Sequence, residues 1–360
     1  MYPALTVADW LAANNPQPPA VCWVGSAGGV EESLTARAGI RFEGISAAGL
    51  RGKDPLAILE GLGALSRGLW QARRLVAALQ PDVLFVTGGY VCVPVTLAAR
   101  LAGVPVVIYL PDMIPGLAIR VLARFAQRVA LTAPPAARYF RASQVVVTGY
   151  PVRSELFERD AGEARARLGL SMEEGLPVLL VYGGSQGAHS INRAVVQGLT
   201  TLLEAAQVIH LSGQRDAEWT LAQRASLPGS LQARYRPYPY MYEEMVDALV
   251  AADLVVSRAG ASVLGEFPAT GLPAVLVPYP YAGAHQWDNA RYLLKAGAAT
   301  AIADADLERD LVPTVLDLLA QDERRAAMGH AARQLAQPDA AQRIAQLLLE
   351  AAGSRQGKSS

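Results

Sequence analysis

Short apolar runs rich in β-branched residues alternate along this chain with longer segments rich in Ala, Leu and Arg. Strands that are apolar throughout and alternate with helices belong to parallel sheets covered by helices on both faces. We predict helices over 56–79, 94–101 and 190–203. The predicted strands are 21–24, 83–87, 104–109, 144–148, 178–182, 208–211, 254–257 and 274–278. The pattern therefore predicts an α/β protein with doubly wound sheets.

The alternation runs through the chain twice, which predicts two domains. A length of 360 residues agrees with this number, since a domain has roughly 150 residues. A predicted strand ends at Gly149-Tyr150-Pro151 and a rigid turn follows, so we place the domains at 1–149 and 150–339. We expect a helix at about 340–353 to pack back on the first domain and residues 354–360 to form a loose tail.

Composition excludes several classes of protein. The chain has 32 basic and 32 acidic residues and a formal net charge of zero, which argues against broad binding to nucleic acid. Its longest apolar region, 93–110, is interrupted by Arg100, so no membrane span of about 20 apolar residues is predicted. Two cysteines, Cys22 and Cys92, are too few for a disulfide framework or a metal cluster, and we predict buried thiols.

One loop has the composition of a phosphate-binding turn. Gly183-Gly184-Ser185-Gln186-Gly187-Ala188 lies between a predicted strand and a predicted helix. Its glycines permit a tight turn, and the helix N-terminus offers N–H groups to an anion. A plain turn with glycines for packing fits the sequence equally well. A similar turn, Gly88-Gly89-Tyr90, follows the strand predicted at 83–87.

Later loops carry further candidate ligand-binding residues. Glu266 lies one to two turns into the helix after strand 254–257, where a carboxylate can bind a ribose diol; an ordinary solvated position is the alternative. In the segment 278–290, amides and an imidazole suit sugar hydroxyls, and His285 is a candidate base, cap or ligand contact. Asp304-Ala305-Asp306 superficially resembles a metal-binding acidic pair, but its place at a helix start favours capping.

Together these motifs resemble the MurG family, the UDP-N-acetylglucosamine:muramyl-pentapeptide-pyrophosphoryl-undecaprenol N-acetylglucosaminyltransferases of peptidoglycan synthesis. The resemblance runs from Tyr2 to about Leu349. It rests on Gly88-Gly89-Tyr90, Pro151-Val152-Arg153, the loop 183–188, Arg258-Ala259-Gly260-Ala261 with Glu266, Gly271-Leu272-Pro273 and Gln286-x-x-Asn289-Ala290. It implies a GT-B fold, in which two Rossmann-like domains face a central cleft. It also implies inverting transfer of N-acetylglucosamine to the muramyl C4 hydroxyl of lipid I, giving lipid II, without metal or cofactor.

The resemblance also implies a set of binding residues. On the donor side these are Arg153, Ser185, Gln186, Gly187, Tyr242, Arg258, Glu266, His285, Gln286 and Asn289. Ser185 and the amides beside it would hold the pyrophosphate, and Glu266 would hold the ribose. The Tyr242 backbone and Arg153 would lie around the uridine, while Arg258 would help to hold the phosphates and the sugar. On the acceptor side the implied residues are Tyr90 and Asp112.

The sequence departs from the family pattern at its start and on the acceptor side. The family has a strand and a Gly-Gly-x-Gly-Gly-His loop before the segment that here reads Met1-Tyr2-Pro3-Ala4-Leu5. We expect translation to have been assigned from an internal codon, so that this strand, loop and candidate base His precede Met1. No catalytic residue is therefore assigned, and we expect the 360-residue chain to be poorly soluble or inactive. The family's His-Glu-Gln-Asn segment reads Tyr109-Leu110-Pro111-Asp112, and His285 replaces a Gln.

A lipid-linked acceptor implies contact with a membrane surface. We expect a cytoplasmic protein that is peripheral on the inner face of the plasma membrane. The helix predicted at 56–79 carries Trp70 with Arg67, Arg73 and Arg74, a mixture that suits an interfacial helix, although core packing suits it equally well. Two alternatives remain: a glycolipid synthase that uses another nucleotide sugar, and a non-catalytic UDP-sugar-binding relative.

Overall fold

The chain forms two compact α/β units. The computed structural model describes residues 1–46, 55–171, 175–184, 187–280 and 285–356. The first unit comprises Met1–Pro151 with Asp339–Ser360, and the second comprises Val152–Pro338. Every pairing between described strands is parallel. The predicted α/β class is confirmed. The units divide after Pro151 and after Pro338, whereas the predicted boundaries follow residues 149 and 339.

The elements alternate as the apolar pattern indicates. Up to residue 151 they are α1 Tyr2–Asn14, β1 Cys22–Ser26, α2 Val30–Arg37, β2 Arg41–Ile45, α3 Pro55–Leu79, β3 Leu84–Val86, α4 Cys92–Leu101, β4 Val106–Leu110, α5 Leu117–Leu122, β5 Arg128–Leu131 and β6 Val145–Val147. After it they are α6 Glu155–Glu158, α7 Ala161–Arg167, β7 Val178–Tyr182, α8 His189–Gln197, α9 Leu199–Ala205, β8 Gln207–Leu211, α10 Ala217–Ser226, α11 Gly229–Gln232, β9 Tyr235–Tyr238, α12 Glu244–Ala251, β10 Leu254–Ser257, α13 Val263–Thr270, β11 Ala274–Leu276, α14 His285–Lys295, β12 Ala299–Ala301, α15 Leu307–Leu319, α16 Asp322–Arg333 and α17 Ala340–Gln356. Short 3-10 turns lie at Ala123–Phe125, Pro134–Tyr139, Ala142–Gln144, Gln214–Asp216 and Asp304–Asp306.

The second unit contains one six-stranded sheet in the order β12-β11-β10-β7-β8-β9. All residues of β7, β8 and β10 are buried, because helices pack on both faces of the sheet. The strand order reverses between β7 and β10, which pair along their length with Tyr182 opposite Ser257. Open α/β sheets bind ligands outside the carboxyl ends of the strands at such a switch point.

The first unit carries two parallel sheets on a shared apolar core. One sheet pairs β1 with β2, and the other has the order β3-β4-β5-β6. Within the described ranges no ladder joins β1 to β3. Ile45 of β2 is nevertheless buried in one cluster with Val86 of β3, and Ala72 and Val76 of α3 belong to the same cluster. Helix α3 therefore packs against both sheets.

The last helix belongs to the first unit. Helix α17 packs against α1. Near the end of α17, the Ser354 hydroxyl accepts a hydrogen bond from Gln127 at 3.4 Å, and Arg355 donates one to the carbonyl of Pro81. We expected a loose tail from residue 354, and for residues 354–356 this is wrong: they are helical and belong to α17, which these hydrogen bonds anchor. Residues 357–360 lie outside the described part of the chain.

Two further expectations need correction. The helix predicted at 190–203 is two helices, α8 and α9, which meet at Gly198. A Cβ at Gly198 would lie 2.3 Å from a methyl group of Val312, so α15 packs too closely for any larger residue. The two cysteines are only partly buried. Across the described ranges, no helix is both long and apolar enough to span a membrane.

Candidate functional site

The candidate site lies in the second unit at the switch point between β7 and β10. The loop 183–188 follows Tyr182, and the segment from Arg258 to Glu266 follows Ser257. Because Tyr182 and Ser257 are paired, the two loops leave the same edge of the sheet side by side. The structure thus brings together two motifs that lie about 70 residues apart in the sequence.

The described part of the loop 183–188 has a geometry that requires glycine. Gly187 has φ +76°, and a Cβ there would lie 2.3 Å from the carbonyl oxygen of Ser212. Its N–H donates to the carbonyl of Gly184 at 3.0 Å, which closes the turn. Helix α8 begins two residues later at His189, and the first N–H groups of a helix have no acceptor within it. The predicted donor residues Ser185 and Gln186 lie outside the described residues.

Glu266 is a carboxylate that other side chains hold in place. It lies in the first turn of α13 and is partly buried. The Tyr182 hydroxyl donates to its Oε2 at 3.4 Å. Burial raises the pKa of Glu266, while a hydrogen bond from Ser262, the charge of Arg153 and the bond from Tyr182 oppose that rise. The carboxylate is therefore oriented and close to a cation, as an acceptor for ligand hydroxyl groups needs to be.

Two predicted uridine-side residues have different surroundings. Arg153 is close enough to Glu266 for their charges to interact, so the structure brings it to the site. Tyr242 lies before α12 with an exposed side chain, and its ring centroid is 4.4 Å from that of Tyr240. The Tyr242 N–H donates to a carboxylate oxygen of Glu244 at 3.3 Å.

Arg258 is the centre of a partly buried polar cluster. Its Nη1 lies 2.5 Å from Oδ1 of Asp304, and its Nη2 donates to the Ser190 hydroxyl at 2.8 Å. Ser190 in turn donates to the same Asp304 oxygen at 2.8 Å. We expected Asp304-Ala305-Asp306 to cap a helix, and this is wrong: neither the 3-10 turn nor α15 has a side-chain cap. Asp304 instead binds the side chains of Ser190 on α8 and of Arg258 in the loop after β10.

Side-chain amides fix the described part of the segment 278–290. The Gln286 Oε1 accepts a hydrogen bond from the Tyr279 N–H at 2.9 Å. Asn289 is fully buried and donates to the Ala259 carbonyl at 3.0 Å, which joins α14 to the loop after β10. The buried Nδ1 of His285 has no partner among the described residues. These three residues thus lie on a helix start that is fixed against the site.

Sequence reasoning missed a buried network behind α8. His189 Nδ1 lies 3.0 Å from the Asp216 carboxylate, and Asn192 donates to that carboxylate at 2.8 Å. Burial works against ionisation of Asp216, but these donors outweigh it and lower its pKa. His210, fully buried, contacts Asn192 through Nε2 at 3.0 Å and the Tyr235 hydroxyl through Nδ1 at 2.9 Å. The network fixes the first turns of α8, and no local motif in the sequence points to it.

The two predicted acceptor-side residues follow adjacent strands of the first unit. Tyr90 comes after β3 and has an exposed side chain. Asp112 comes after β4 and is partly buried. Burial raises the pKa of the Tyr109 hydroxyl, and the charge of Asp112 adds to that rise. Because β3 and β4 are paired in parallel, Tyr90 and Asp112 lie at the same edge of their sheet.

The described residues include no group of three or more His, Cys, Asp or Glu side chains placed to hold a metal ion. The site is therefore characterised by its loop, its oriented carboxylate and its guanidinium cluster.

Comparisons with known proteins agree with this site and fold. Residues 178–344 match the "Glycosyltransferase family 28 C-terminal domain" and residues 1–131 match the corresponding N-terminal domain. A UDP-N-acetylglucosamine–N-acetylmuramyl-(pentapeptide) pyrophosphoryl-undecaprenol N-acetylglucosamine transferase of Roseiflexus sp. is 44% identical, over 97% of this chain and 91% of its own. An enzyme of the same name from Moorella thermoacetica is 40% identical over 97% and 95%.

Solved structures show the same architecture. MurG of Acinetobacter baumannii superposes with a TM-score of 0.72 at 29% identity, covering 97% of this chain and 95% of its own. A UDP-GlcNAc 2-epimerase of Neisseria meningitidis, solved with UDP-GlcNAc bound, reaches a TM-score of 0.66 at 14% identity over 97% and 96%, a likeness of fold alone. The predicted GT-B fold class with two Rossmann-like units is confirmed. The chain is a glycosyltransferase that belongs to family 28 and, within it, to the MurG family.

Proposed function

We propose that this protein transfers N-acetylglucosamine from UDP-N-acetylglucosamine to the muramyl C4 hydroxyl of undecaprenyl-pyrophosphoryl-MurNAc-pentapeptide. The observation that carries the proposal is the 44% identity, over nearly the whole chain, to a relative named for this reaction. The switch-point site supports it, because it combines an anion-binding turn with an oriented carboxylate. Peptidoglycan synthesis is the process that this reaction serves.

The second unit is the proposed donor domain. In the transfer, the bond between the sugar C1 and the phosphate oxygen breaks as the acceptor oxygen bonds to C1 from the opposite side. Negative charge then collects on the leaving UDP, and donors already in place stabilise it. The N–H groups at the start of α8 would supply those donors, and Glu266 would accept hydrogen bonds from the ribose hydroxyls. The proton of the acceptor hydroxyl passes to a base that we assign to no described residue.

The first unit is the proposed acceptor domain, and one of its surfaces suits a membrane. Leu117 and Val121 of α5 are 78% and 45% exposed, and Phe125 of the following turn is 40% exposed. These three residues form the α5 patch. They follow one another at intervals of four positions, which puts Leu117 and Val121 on one face of α5. The exposed Arg120 and Arg124 lie among them in the sequence. Apolar side chains flanked by cations suit the interface of an anionic membrane.

Helix α3 offers a second surface of similar character. Trp70 is 59% exposed, and the guanidinium of Arg74 lies 4.5 Å from its ring centroid. Arg67 and Arg73 are also exposed. An exposed tryptophan among arginines is typical of residues at the headgroup level of a bilayer. We therefore place the protein in the cytoplasm at the inner face of the plasma membrane, where a lipid-linked acceptor is accessible.

A transfer assay tests the reaction. Purified protein is incubated with labelled UDP-N-acetylglucosamine and a lipid I analogue. In contrast to the inactivity expected from the sequence alone, the proposed function predicts formation of the disaccharide lipid, with product loss in Glu266→Ala. Transfer to diacylglycerol instead would favour a glycolipid synthase. Binding of UDP-N-acetylglucosamine without any transfer would favour a non-catalytic relative.

A vesicle assay tests the membrane surface separately. Wild-type protein is expected to float with vesicles of phosphatidylglycerol and phosphatidylethanolamine, and the Leu117→Ser, Val121→Ser double variant to float less. Leu221→Ser is the matched control, because Leu221 is exposed to a similar degree but lies on α10 of the second unit. Equal flotation of all three proteins would contradict a docking role of the α5 patch.

A further inference from the structure

We infer that Asp304 is a positioning residue for the nucleotide diphosphate: it acts through Arg258 and Ser190 to hold the loops at the switch point. The inference rests on the proposed donor site. It gives a role to an acidic motif whose side chains cap neither the 3-10 turn nor α15 and which, among the described residues, belongs to no group placed to hold a metal.

The cluster is closed, in that each of its three side chains contacts the other two. Oδ1 of Asp304 is 2.5 Å from Arg258 Nη1 and 2.8 Å from the Ser190 hydroxyl. The Ser190 hydroxyl is 2.8 Å from Arg258 Nη2. Removing the carboxylate would therefore loosen both partners, not one.

Burial distinguishes this ion pair from the surface pairs nearby. The side chain of Arg258 is 10% exposed and that of Asp304 is 20% exposed. Asp306, two residues later, pairs with Arg309 at 3.1 Å, but both side chains are largely exposed. Exposed pairs contribute little, whereas loss of one partner of a buried, hydrogen-bonded pair leaves the other charge uncompensated.

The guanidinium joins the carboxyl ends of four strands. Arg258 follows β10, Ser190 lies in the first turn of α8 after β7, and Asp304 follows β12. Arg258 Nη1 also donates to the carbonyl of Val277, directly after β11, at 3.2 Å. Three of the five N–H groups of a guanidinium are thus engaged by the protein itself. These contacts fix the Arg258 side chain between the strand ends, and the carboxylate among them is that of Asp304.

The position of Ser190 explains why phosphate binding would be affected. Ser190 is the second residue of α8, so its backbone belongs to the first turn of a helix, whose N–H groups are available to bind an anion. A shift of this helix start would weaken contacts to the diphosphate more than contacts to the base and ribose, and misplacement by about 1 Å can cost as much as a hundredfold in rate.

The test compares UDP with uridine. We expect Asp304→Ala to raise the Kd for UDP by about tenfold, which corresponds to the loss of about one hydrogen bond to a charged group, while changing the Kd for uridine by less than about twofold. Asp306→Ala is the matched control and should leave both unchanged. A general loss of structure would weaken both ligands equally, so the ratio of the two Kd values is a readout that a merely structural role does not move.

Two further variants keep the inference testable. Asp304→Asn retains an acceptor for Ser190 without the charge, and we expect it to recover part of the UDP affinity. Asp304→Ala combined with Ser190→Ala should lose less than the sum of the single losses, because both act through one cluster. Wild-type UDP affinity in a folded Asp304→Ala, or equal losses for UDP and uridine, would overturn the inference and leave the proposed function standing. Failure of the wild-type protein to bind UDP would overturn both.

Discussion

Replacement of Glu266 by alanine removes a carboxylate that the structure orients at the switch point. Tyr182 donates to its Oε2 at 3.4 Å, and Ser262 and Arg153 also stabilise the charged form. All three lie within the second unit. If this carboxylate accepts hydrogen bonds from the ribose diol, UDP binding depends on it and on both sugar hydroxyls.

The size of the effect follows from the charge of the acceptor. A hydrogen bond to a charged group contributes about 1.5–3 kcal/mol, and a loss of that size raises the Kd for UDP by about 13-fold to 160-fold. Glu266→Gln keeps an acceptor oxygen without the charge, so its loss should fall below that of Glu266→Ala. Burial raises the pKa of Glu266. As the pH is lowered, Glu266 should therefore lose its charge, and the protein its affinity for UDP, at a higher pH than if the glutamate were exposed.

The assay is calorimetric titration of wild type, Glu266→Gln and Glu266→Ala with UDP and with 2′,3′-dideoxy-UDP. The alanine variant should bind the dideoxy nucleotide as tightly as wild type does, because the diol that Glu266 binds is then absent. Circular dichroism controls for folding. Unchanged UDP affinity in a folded Glu266→Ala, or an equal loss with the dideoxy nucleotide, would refute the assignment.

Three other perturbations test the surrounding structure. Gly187→Ala should weaken UDP binding and lower the thermal unfolding temperature; Gly229→Ala is the control, because a Cβ there meets open space. The positive φ of Gly187 alone costs about 1–2 kcal/mol in any other residue. Equal unfolding temperatures for the two variants would contradict the close approach of Gly187 to Ser212. Burial lowers the pKa of His210 from 6.5 to about 4. Between these two pH values the unfolded chain binds more protons than the folded chain does. The free energy of unfolding should therefore fall by up to about 3 kcal/mol as the pH drops through this range. Urea unfolding at pH 7 and pH 5 should show a larger loss for wild type than for His210→Gln, and equal losses would contradict the prediction. Burial raises the pKa of the Cys92 thiol from 9.0 to about 11. Alkylation of Cys92 by iodoacetamide at pH 8 should therefore be at least about a hundredfold slower in the folded chain than in the urea-unfolded chain. Peptide mapping by mass spectrometry measures both rates, and similar rates would show that the thiol is accessible.

Strands with strong apolar character could be predicted from the sequence, and strands without it could not. The bounds of β7 and β10 agree with those predicted, because both are buried on all sides and contain no charge. One buried strand was missed: β5, which lies between β4 and β6, has only four residues and begins with Arg128. We also missed β2, which carries Arg41 and Glu43, and β9, which contains Pro237. Both lie at the edge of a sheet, where one side is unpaired and charged residues or proline are tolerated. β12, at the other edge of the second unit's sheet, is Ala-Thr-Ala and only partly buried, so it lacks the apolar run that marks the predicted strands.

The site could be predicted where it depends on local chain chemistry. Glycines at 183, 184 and 187 indicate a turn wherever they follow a strand, and the place of Glu266 early in a helix follows from the strand before it. The partners of these residues could not be predicted, because they come from distant loops. Asp304 binds a serine 114 residues earlier in the chain. Nothing in the segment around Asp304 distinguishes it from Asp306; the sheet order alone brings it to Arg258.

The chain crosses between its two units twice, at residues 151–152 and 338–339, and this dictates an order of assembly during synthesis. Domains generally fold as they leave the ribosome, the N-terminal one first. Here the N-terminal unit lacks α17 until the final residues are translated, whereas Val152–Pro338 is by then complete. The unit that begins first therefore finishes last. A premature stop codon just after residue 338 would leave the second unit whole and remove α17, the packing partner of α1, so a lesion late in this sequence would damage the structure around its first helix.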